Sequence, residues 1–148
     1  SNVKQFLDQL YEKLPADVKN FIVTKRTLLE KRYSASGALT DSTGWGWADI
    51  GKLWLPSEYE VFGSVCWGTK GWSLGQAVQY PVFANSWKNR IKGAGPKGPR
   101  CYWWLLSLGG GSSSRACGVG YDGASYAWSA SGAYRVPLCF RFVRKQKS

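Results

Sequence analysis

The apolar residues at the start of the chain recur at the spacing of a helix. Within residues 3–14 they fall at i, i+3, i+4 and i+7, which predicts an amphipathic helix. Pro15 suits the first turn of a second short helix, because its missing N–H is not needed there. The residues expected on the buried sides of these two helices are Val3, Phe6, Leu7, Leu10, Tyr11, Leu14, Val18, Phe21 and Ile22.

The patterns in the middle of the chain are shorter and mixed. Residues 23–33 begin with basic and β-branched side chains and are predicted to be a strand or an extended linker, followed by a polar loop at 34–44. Residues 57–62 are predicted to form a capped helical turn. A further helix is predicted within 80–92, where three apolar residues recur at intervals of four, Phe83, Trp87 and Ile91.

The last fifty residues predict a small antiparallel sheet. Three strands are expected at 102–107, 115–121 and 125–129, and a closing strand with alternating apolar side chains at 136–143. Asp122-Gly123 predicts a two-residue hairpin turn, because both central residues of such a turn must accept a positive φ. The chain therefore predicts a single α+β domain, 1–148, with two N-terminal helices, a small C-terminal antiparallel sheet and long Gly-rich loops.

Composition argues for binding rather than catalysis. Nine Trp, eight Tyr and eighteen Gly accompany a complete absence of His, so no imidazole base and no His-liganded metal is available. After Glu60 the only acidic residue is Asp122, which excludes a paired-carboxylate site in the C-terminal half and disfavours calcium. We therefore expect no enzyme activity, no cofactor and no metal site.

The net charge of +11 is concentrated in one half of the chain. Residues 61–148 carry twelve basic side chains and one acidic one, clustered at 88–92 with Lys97 and Arg100, and again at 141–147. Such a field attracts nucleic acid, anionic glycans or an acidic partner. A solvated face with a frayed C-terminal tail is the alternative interpretation.

The cysteines and the ends of the chain add three expectations. Four cysteines without C-x-x-C spacing argue against a zinc cluster or a redox motif, and either free buried thiols or one disulfide pair remain open. No signal peptide and no apolar run long enough to span a membrane is seen, so membrane insertion is not expected. The start at Ser1-Asn2 is compatible with the C-terminal part of a longer chain.

Several segments together resemble an uncharacterised domain family that is frequent in gut-bacterial phages and prophages. The family's helix–proline–helix stretch is matched by QFLDQLYEKLPADVKNFI, and its next motif by KLWLPSEYEVFG at 52–63. Its YWWLRSP strand is matched by YWWLLSL at 102–108, its V-x-x-x-G hairpin by Val119 to Gly123, and its GVRPAF-like strand by RVPLCF at 135–140. The resemblance covers nearly the whole chain, and the WWL strand with the order of segments carries it.

This resemblance implies a C-type-lectin-like fold of the formylglycine-generating-enzyme type. Proteins of this type include the variable proteins of diversity-generating retroelements, which hold a fixed scaffold and vary side chains exposed on a C-terminal sheet. Two departures are seen here: Leu105-Leu106 stands where the family has Leu-Arg, and the arginine before the proline of the closing strand is missing.

The expected binding face lies between Gly109 and Tyr134, a segment dominated by Ser, Gly, Ala and Tyr. Tyr and Trp offer large contact area at low entropic cost, and Ser and Gly offer adaptable spacing, as in antibody paratopes. Strand alternation predicts one face with Cys117, Val119 and Tyr121, and another with Gly118 and Gly120. The candidate ligand-binding residues are Gly118, Tyr121, Ser125, Tyr126, Trp128, Ser129, Ser131, Tyr134 and Arg135.

The remaining tryptophans are expected to pack in the core. Trp103 and Trp104 are adjacent on a strand and must point to opposite sides, so at least one is buried. The others expected to pack are Trp45, Trp47, Trp54, Trp67 and Trp72.

These features predict a ligand- or receptor-binding domain of a phage or prophage variable protein. It would act at a virion tail or a bacterial cell surface on a protein or glycan ligand, with a tail protein or further copies of itself as partners. The alternative is a nucleic-acid-binding protein that uses the basic C-terminal half. A formylglycine-generating-type enzyme would need a reactive cysteine pair, for which only Cys117 and Cys139 qualify, and nothing nearby lowers a thiol pKa.

Overall fold

The structure is a computed structural model that describes residues 2–32, 44–70, 78–112 and 114–143. Helices and strands both contribute, so the predicted α+β class is confirmed. In chain order the elements are α1 (Asn2–Glu12), α2 (Ala16–Lys19), β1 (Lys25–Glu30), β2 (Trp45–Gly51), α3 (Glu58–Phe62), α4 (Pro81–Asn85), β3 (Lys92–Gly93), β4 (Arg100–Cys101), β5 (Trp103–Leu108), β6 (Arg115–Val119) and β7 (Ser125–Ser129). None of the described helices has the length and apolar character needed to cross a bilayer.

The two predicted N-terminal helices are confirmed, with Pro15 as the N-cap of α2. Leu7 and Ile22 are buried in the core, as their spacing predicted. Phe6 and Phe21 were expected to face inward, and this is wrong: Phe6 is 50% exposed and Phe21 is also exposed. The buried side of α1 is therefore narrower than the sequence pattern predicts, and Phe21 lies beyond the end of α2 at Lys19.

Residues 23–33, which the sequence left open as a strand or an extended linker, contain the strand β1. β1 pairs antiparallel with β2, with Leu28 opposite Trp47. Immediately after β1, the buried guanidinium of Arg32 binds the Glu30 carboxylate at 3.0 Å and donates to the carbonyls of Gly109 and Ser112. Through these bonds Arg32 joins the β1–β2 pair to residues 109–112, which follow β5. The predicted loop at 34–44 lies, apart from Gly44, outside the described residues, as does Trp72.

The capped turn predicted at 57–62 is confirmed as α3. The Ser57 hydroxyl accepts the backbone N–H of Glu60 at 3.1 Å, while the Glu60 carboxylate accepts the N–H of Ser57. This reciprocal pair satisfies two of the helix's free N–H groups. Gly63 ends the helix at φ 71°, a left-handed conformation that glycine adopts without strain.

The single helix predicted within 80–92 is wrong. The helix α4 ends at Asn85, Ser86 is extended at φ −158°, and a separate 3₁₀ turn covers Trp87–Arg90. The Ser86 hydroxyl accepts the N–H of Lys88 at 3.3 Å and so starts the second turn. Because the helix is interrupted, Trp87 does not lie on the same side as Phe83. Trp87 is exposed, whereas Phe83 is buried.

The strands β5, β6 and β7 form a three-stranded antiparallel sheet in that order. It separates two hydrophobic clusters, because alternate side chains point to opposite sides. The first cluster contains Val61, Phe83, Trp103, Leu105, Cys117 and Val119. The second contains Leu7, Ile22, Leu53, Leu55 and Trp104. Both Trp103 and Trp104 are thus buried, on opposite sides.

The closing segment 136–143 is not the predicted continuous strand. Within the described residues it makes isolated antiparallel bridges, Trp54 with Cys139 and Ile22 with Phe142. Trp54 and Cys139 exchange two backbone hydrogen bonds of 3.0 Å each. These bridges join the end of the described chain to its N-terminal part and to the segment before α3.

Candidate functional site

The candidate site lies on the side of the β5–β6–β7 sheet that carries the second cluster. At one end of this side, α1 and the 53–55 segment cover Trp104. Beyond that cover, five aromatic side chains lie together and none is fully buried. We call this set the aromatic face: Tyr102, Tyr121, Tyr126, Trp128 and Tyr134.

Two glycines, Gly118 in β6 and Gly120 just after it, leave room for rings of the aromatic face to lie close against the backbone. A Cβ on Gly118 would stand 2.4 Å from Cζ3 of Trp128, and one on Gly120 would stand 2.5 Å from Cε2 of Tyr126. Both separations are far below normal van der Waals contact. The predicted contrast of glycines on one side and Cys117 with Val119 on the other is confirmed, because the latter two are fully buried in the first cluster.

The rings of the aromatic face contact one another. Tyr126 and Trp128 stack with centroids 5.1 Å apart and planes inclined by 12°. Tyr102 contacts Trp128 and Tyr121 edge-on, with ring centroids 5.0 Å and 5.5 Å away, and contacts Tyr134 at a tilt of 54° and 5.6 Å. The ring centroids of Trp128 and Tyr134 lie 4.8 Å apart. Such offset and edge contacts are the favourable geometries for aromatic pairs, so each ring restricts its neighbours.

A carboxylate lies at the hairpin end of the aromatic face. Asp122 accepts the hydroxyl of Tyr126 at 3.0 Å and the N–H of Ala124 at 3.1 Å. The Ala124 N–H and the Tyr126 hydroxyl hold the pKa of Asp122 below its ordinary value. The same carboxylate raises the pKa of Tyr126, which therefore stays a neutral hydrogen-bond donor.

The hairpin that carries Tyr121 differs from the predicted two-residue turn. β6 ends at Val119 and β7 begins at Ser125, so five residues connect them, and only Gly123 has a positive φ, 81°. Because Tyr121 lies in this turn, strand alternation no longer governs it. The prediction that Tyr121 shares the side of Cys117 and Val119 is wrong: it is 52% exposed and contacts Tyr102 on the aromatic face.

Ser125 is placed on the opposite side of the sheet. Its hydroxyl donates to the carboxylate of Glu58 at 3.1 Å. Glu58 is 1% exposed and also accepts the N–H groups of Cys66, Trp67 and Gly68 at 2.7–3.1 Å. This buried carboxylate therefore joins α3, the 66–68 loop and β7, and it gives Ser125 a structural role instead of a place on the aromatic face.

Two of the remaining candidates point away from the aromatic face. Ser129 alternates with Trp128 in β7 and so shares the side of Ser125, and Arg135 is the bridge partner of Trp103 and so shares the side of Trp103. Ser129 and Ser131 are exposed, and their hydroxyls lie 2.8 Å apart. Arg135 is exposed, while its backbone bonds to Tyr102 and Trp104 as a parallel neighbour of β5. The structure thus brings together Gly118, Tyr121, Tyr126, Trp128 and Tyr134.

Sequence reasoning missed Tyr102, which contacts three of the other four rings. The signal was available, because Tyr102 and Trp104 must share a side if Trp103 points the other way. Two tryptophans assigned to packing are instead exposed, Trp47 by 50% and Trp67 by 53%. The indole N–H of Trp67 donates to the carbonyl of Ser125 at 2.9 Å. Trp54 is buried as expected.

Comparison with protein-family models gives one finding. Residues 1–142 match DUF6273, a domain of unknown function. The chain belongs to the DUF6273 family. No curated protein matches this DUF6273 domain. No solved structure matches it either.

In the first basic cluster of this DUF6273 domain, two of the positively charged side chains pack against aromatic rings. The guanidinium of Arg90 lies 4.7 Å from the centroid of the Phe62 ring, and the ammonium of Lys92 lies 5.5 Å from that of Phe83. In the second cluster, Arg141 is exposed and residues 144–147 lie outside the described residues.

The cysteines of this DUF6273 domain, all within the described residues, are free thiols. Burial and the neighbouring Glu58 raise the pKa of the Cys117 thiol far above its ordinary value. Burial, with Glu60 nearby, raises the pKa of Cys139 to about 11. Both thiols are therefore protonated at neutral pH, whereas a nucleophilic cysteine needs the thiolate.

Proposed function

We propose that this domain is a ligand-binding module and that the aromatic face is its binding surface. The observation that carries the proposal is the gathering of five incompletely buried aromatic rings on a glycine-lined sheet. Tyr121 is exposed and the other four rings are half-buried, and apolar clusters that reach the surface in this way mark interaction sites. Tyr and Trp also dominate the energetics of interfaces, since they bury much surface for few rotatable bonds.

The mutual packing of the rings supports binding without rearrangement. Tyr126 stacks on Trp128, while the Asp122 carboxylate holds the Tyr126 hydroxyl. Little side-chain entropy is therefore left to lose when a ligand docks. The rings would contact apolar surface of a protein or the C–H face of a sugar.

The wider proposal is that the domain has a C-type-lectin-like fold and displays this surface on a virion tail or a bacterial cell. The family resemblance of the WWL strand and the order of motifs support it. The small antiparallel sheet with long Gly-rich connections is compatible with it. On this proposal the domain performs no chemistry, and its ligand is a protein or glycan of a bacterial surface.

The experiment that tests the variable-protein part is sequencing the genomic neighbourhood of the gene. We expect a near-copy of codons 101–143 beside a reverse-transcriptase gene, differing from the gene only at adenines. The differing codons should include those of Tyr121, Tyr126 and Tyr134. A neighbourhood without such a copy would contradict diversification of this face.

A further inference from the structure

A second site lies away from the aromatic face, in a cleft of about 700 Å³ between β1 and the closing segment. One wall is formed by residues 25–28 and the other by residues 138–141. Trp54 and Cys139, which both line the cleft, are joined by a β-bridge, and the bridge of Ile22 with Phe142 follows the end of the second wall. We call it the β1 cleft.

The charges in the floor of the β1 cleft are already compensated. The Lys25 ammonium forms a salt bridge with the buried carboxylate of Glu60 and donates to the Tyr80 hydroxyl at 2.7 Å. It also lies 5.2 Å from the Trp54 ring and 5.3 Å from the Tyr80 ring. The Lys25–Glu60 pair fixes the floor and leaves no net charge there.

The rim of the β1 cleft carries two exposed guanidinium groups, of which that of Arg26 stands opposite Asp49 in the β1–β2 register. Arg26 and Arg141 line the cleft from opposite walls, and both are exposed. Neither guanidinium makes a salt bridge or a hydrogen bond with another of the described residues. An occupant that places carboxylates beside them gains two charge-assisted contacts.

The rim also exposes large apolar side chains. Trp47, Leu138 and Phe140 are each between 44% and 50% exposed, and Val78 is more exposed still. Phe142 continues this apolar surface, since its ring lies 4.9 Å from that of Phe140. Trp, Phe and Arg are enriched at protein interfaces, and an apolar rim that extends past the cleft fits a polypeptide better than a small molecule.

We infer that the β1 cleft is a docking site for an acidic and apolar segment of a partner protein. The charge of the chain disfavours a second copy as the occupant. The chain has twenty basic and nine acidic residues, so a copy would bring net positive charge toward Arg26 and Arg141. An acidic partner would be attracted by the same field.

The test is a selection of random ten-residue peptides displayed on yeast against the complete chain, followed by affinity measurement with the best synthetic peptide. We expect the enriched peptides to combine Asp or Glu with aromatic or aliphatic residues. The double variant Arg26→Glu with Arg141→Glu should weaken binding of that peptide at least tenfold, and Trp47→Ala at least fivefold. The charge-matched control, Arg100→Glu with Arg115→Glu, should change it less than twofold.

Any one of the following results would overturn the inference. They are a selection without enriched acidic peptides, equal losses in the cleft variant and its charge-matched control, or a wild-type dimer in sedimentation that the cleft variant abolishes. A DNA or RNA oligonucleotide whose binding the cleft variant alone abolishes would likewise replace the peptide as occupant. Circular dichroism checks the folding of each variant, and Trp47→Ala decides the outcome if the double variant is unfolded.

Discussion

The ring of Trp128 lies directly over the backbone of Gly118, where a single added methyl group would approach Cζ3 to 2.4 Å. The carbonyl of Trp103 lies 3.0 Å from the same position, so the methyl group has no room on either side. Trp128 in turn contacts Tyr102, Tyr126 and Tyr134. The absence of one side chain at Gly118 thus sets the arrangement of most of the aromatic face.

Gly118→Ala should therefore displace Trp128 and disorder the rings around it. We expect a loss of stability on the order of 1–3 kcal/mol, the usual cost of overpacking a close contact. The near-ultraviolet circular dichroism should also lose intensity, because the aromatic contacts that produce it are broken. Gly46→Ala is the control, since its methyl group meets only the flexible end of Lys31. Equal effects of the two substitutions in urea unfolding would contradict this interpretation.

Glu58→Gln should destabilise the domain although it conserves shape. The amide can accept fewer hydrogen bonds than the carboxylate and turns an N–H₂ group toward the donors of Cys66, Trp67 and Gly68. We expect a loss of about 2–3 kcal/mol, because charge-assisted buried bonds are replaced by unsatisfied groups. Glu12→Gln, which removes only the surface salt bridge to Lys19, should cost less than about 1 kcal/mol. Urea unfolding that ranks the two variants in the opposite order would be evidence against this role.

The cysteines should differ strongly in reactivity. Cys66 is exposed, whereas burial raises the pKa values of both Cys117 and Cys139. With a pKa of about 11, Cys139 holds roughly one thiolate in a thousand at pH 8. Iodoacetamide at pH 8 should therefore modify Cys66 well before Cys117 and Cys139, as peptide mass spectrometry can show. Modification of Cys117 at the rate of Cys66 would mean that the first cluster is open to solvent.

Ligand binding by the aromatic face should not depend on pH between about 5 and 9. The pKa of Asp122 lies below its ordinary value of 3.8, and the pKa of Tyr126 lies above its ordinary value of 10.0. The stabilising Asp122–Tyr126 bond is therefore fully present above the ordinary carboxyl range, and it is lost as the pH falls through the lowered pKa of Asp122. Nuclear magnetic resonance titration of the Asp122 carboxyl can check that its pKa is lowered. A midpoint above 3.8 would show that the bond is not formed in solution.

The faces of the C-terminal sheet could be predicted from the sequence because alternation is a local rule. It correctly separated Gly118 from Cys117 and Val119, and Trp103 from Trp104. It failed for Tyr121, because the rule holds only inside a strand and β6 ends two residues earlier. A five-residue connection instead of a two-residue turn could not be read from Asp122-Gly123 alone.

Contacts between distant segments could not be predicted at all. Nothing near Glu58 in the sequence indicates that its carboxylate accepts N–H groups from the 66–68 loop and the Ser125 hydroxyl. Likewise, the hydrophobicity of Trp47 and Trp67 predicts burial, whereas their exposure depends on which segments happen to cover them. The closing segment failed as a strand for the same reason, since its partners are Ile22 and Trp54 and not a neighbouring strand.

The most direct test of the aromatic face is the binding of the purified chain to a panel of intact bacterial strains. The variants to compare are Tyr121→Ala with Tyr126→Ala, and Phe6→Ala as a control that removes an equally exposed ring from α1. We predict that the wild type binds at least one strain, that the double tyrosine variant binds it at least tenfold more weakly, and that Phe6→Ala is unchanged. Binding that survives the double substitution, or is lost equally in the control, would contradict a ligand-binding role for this face.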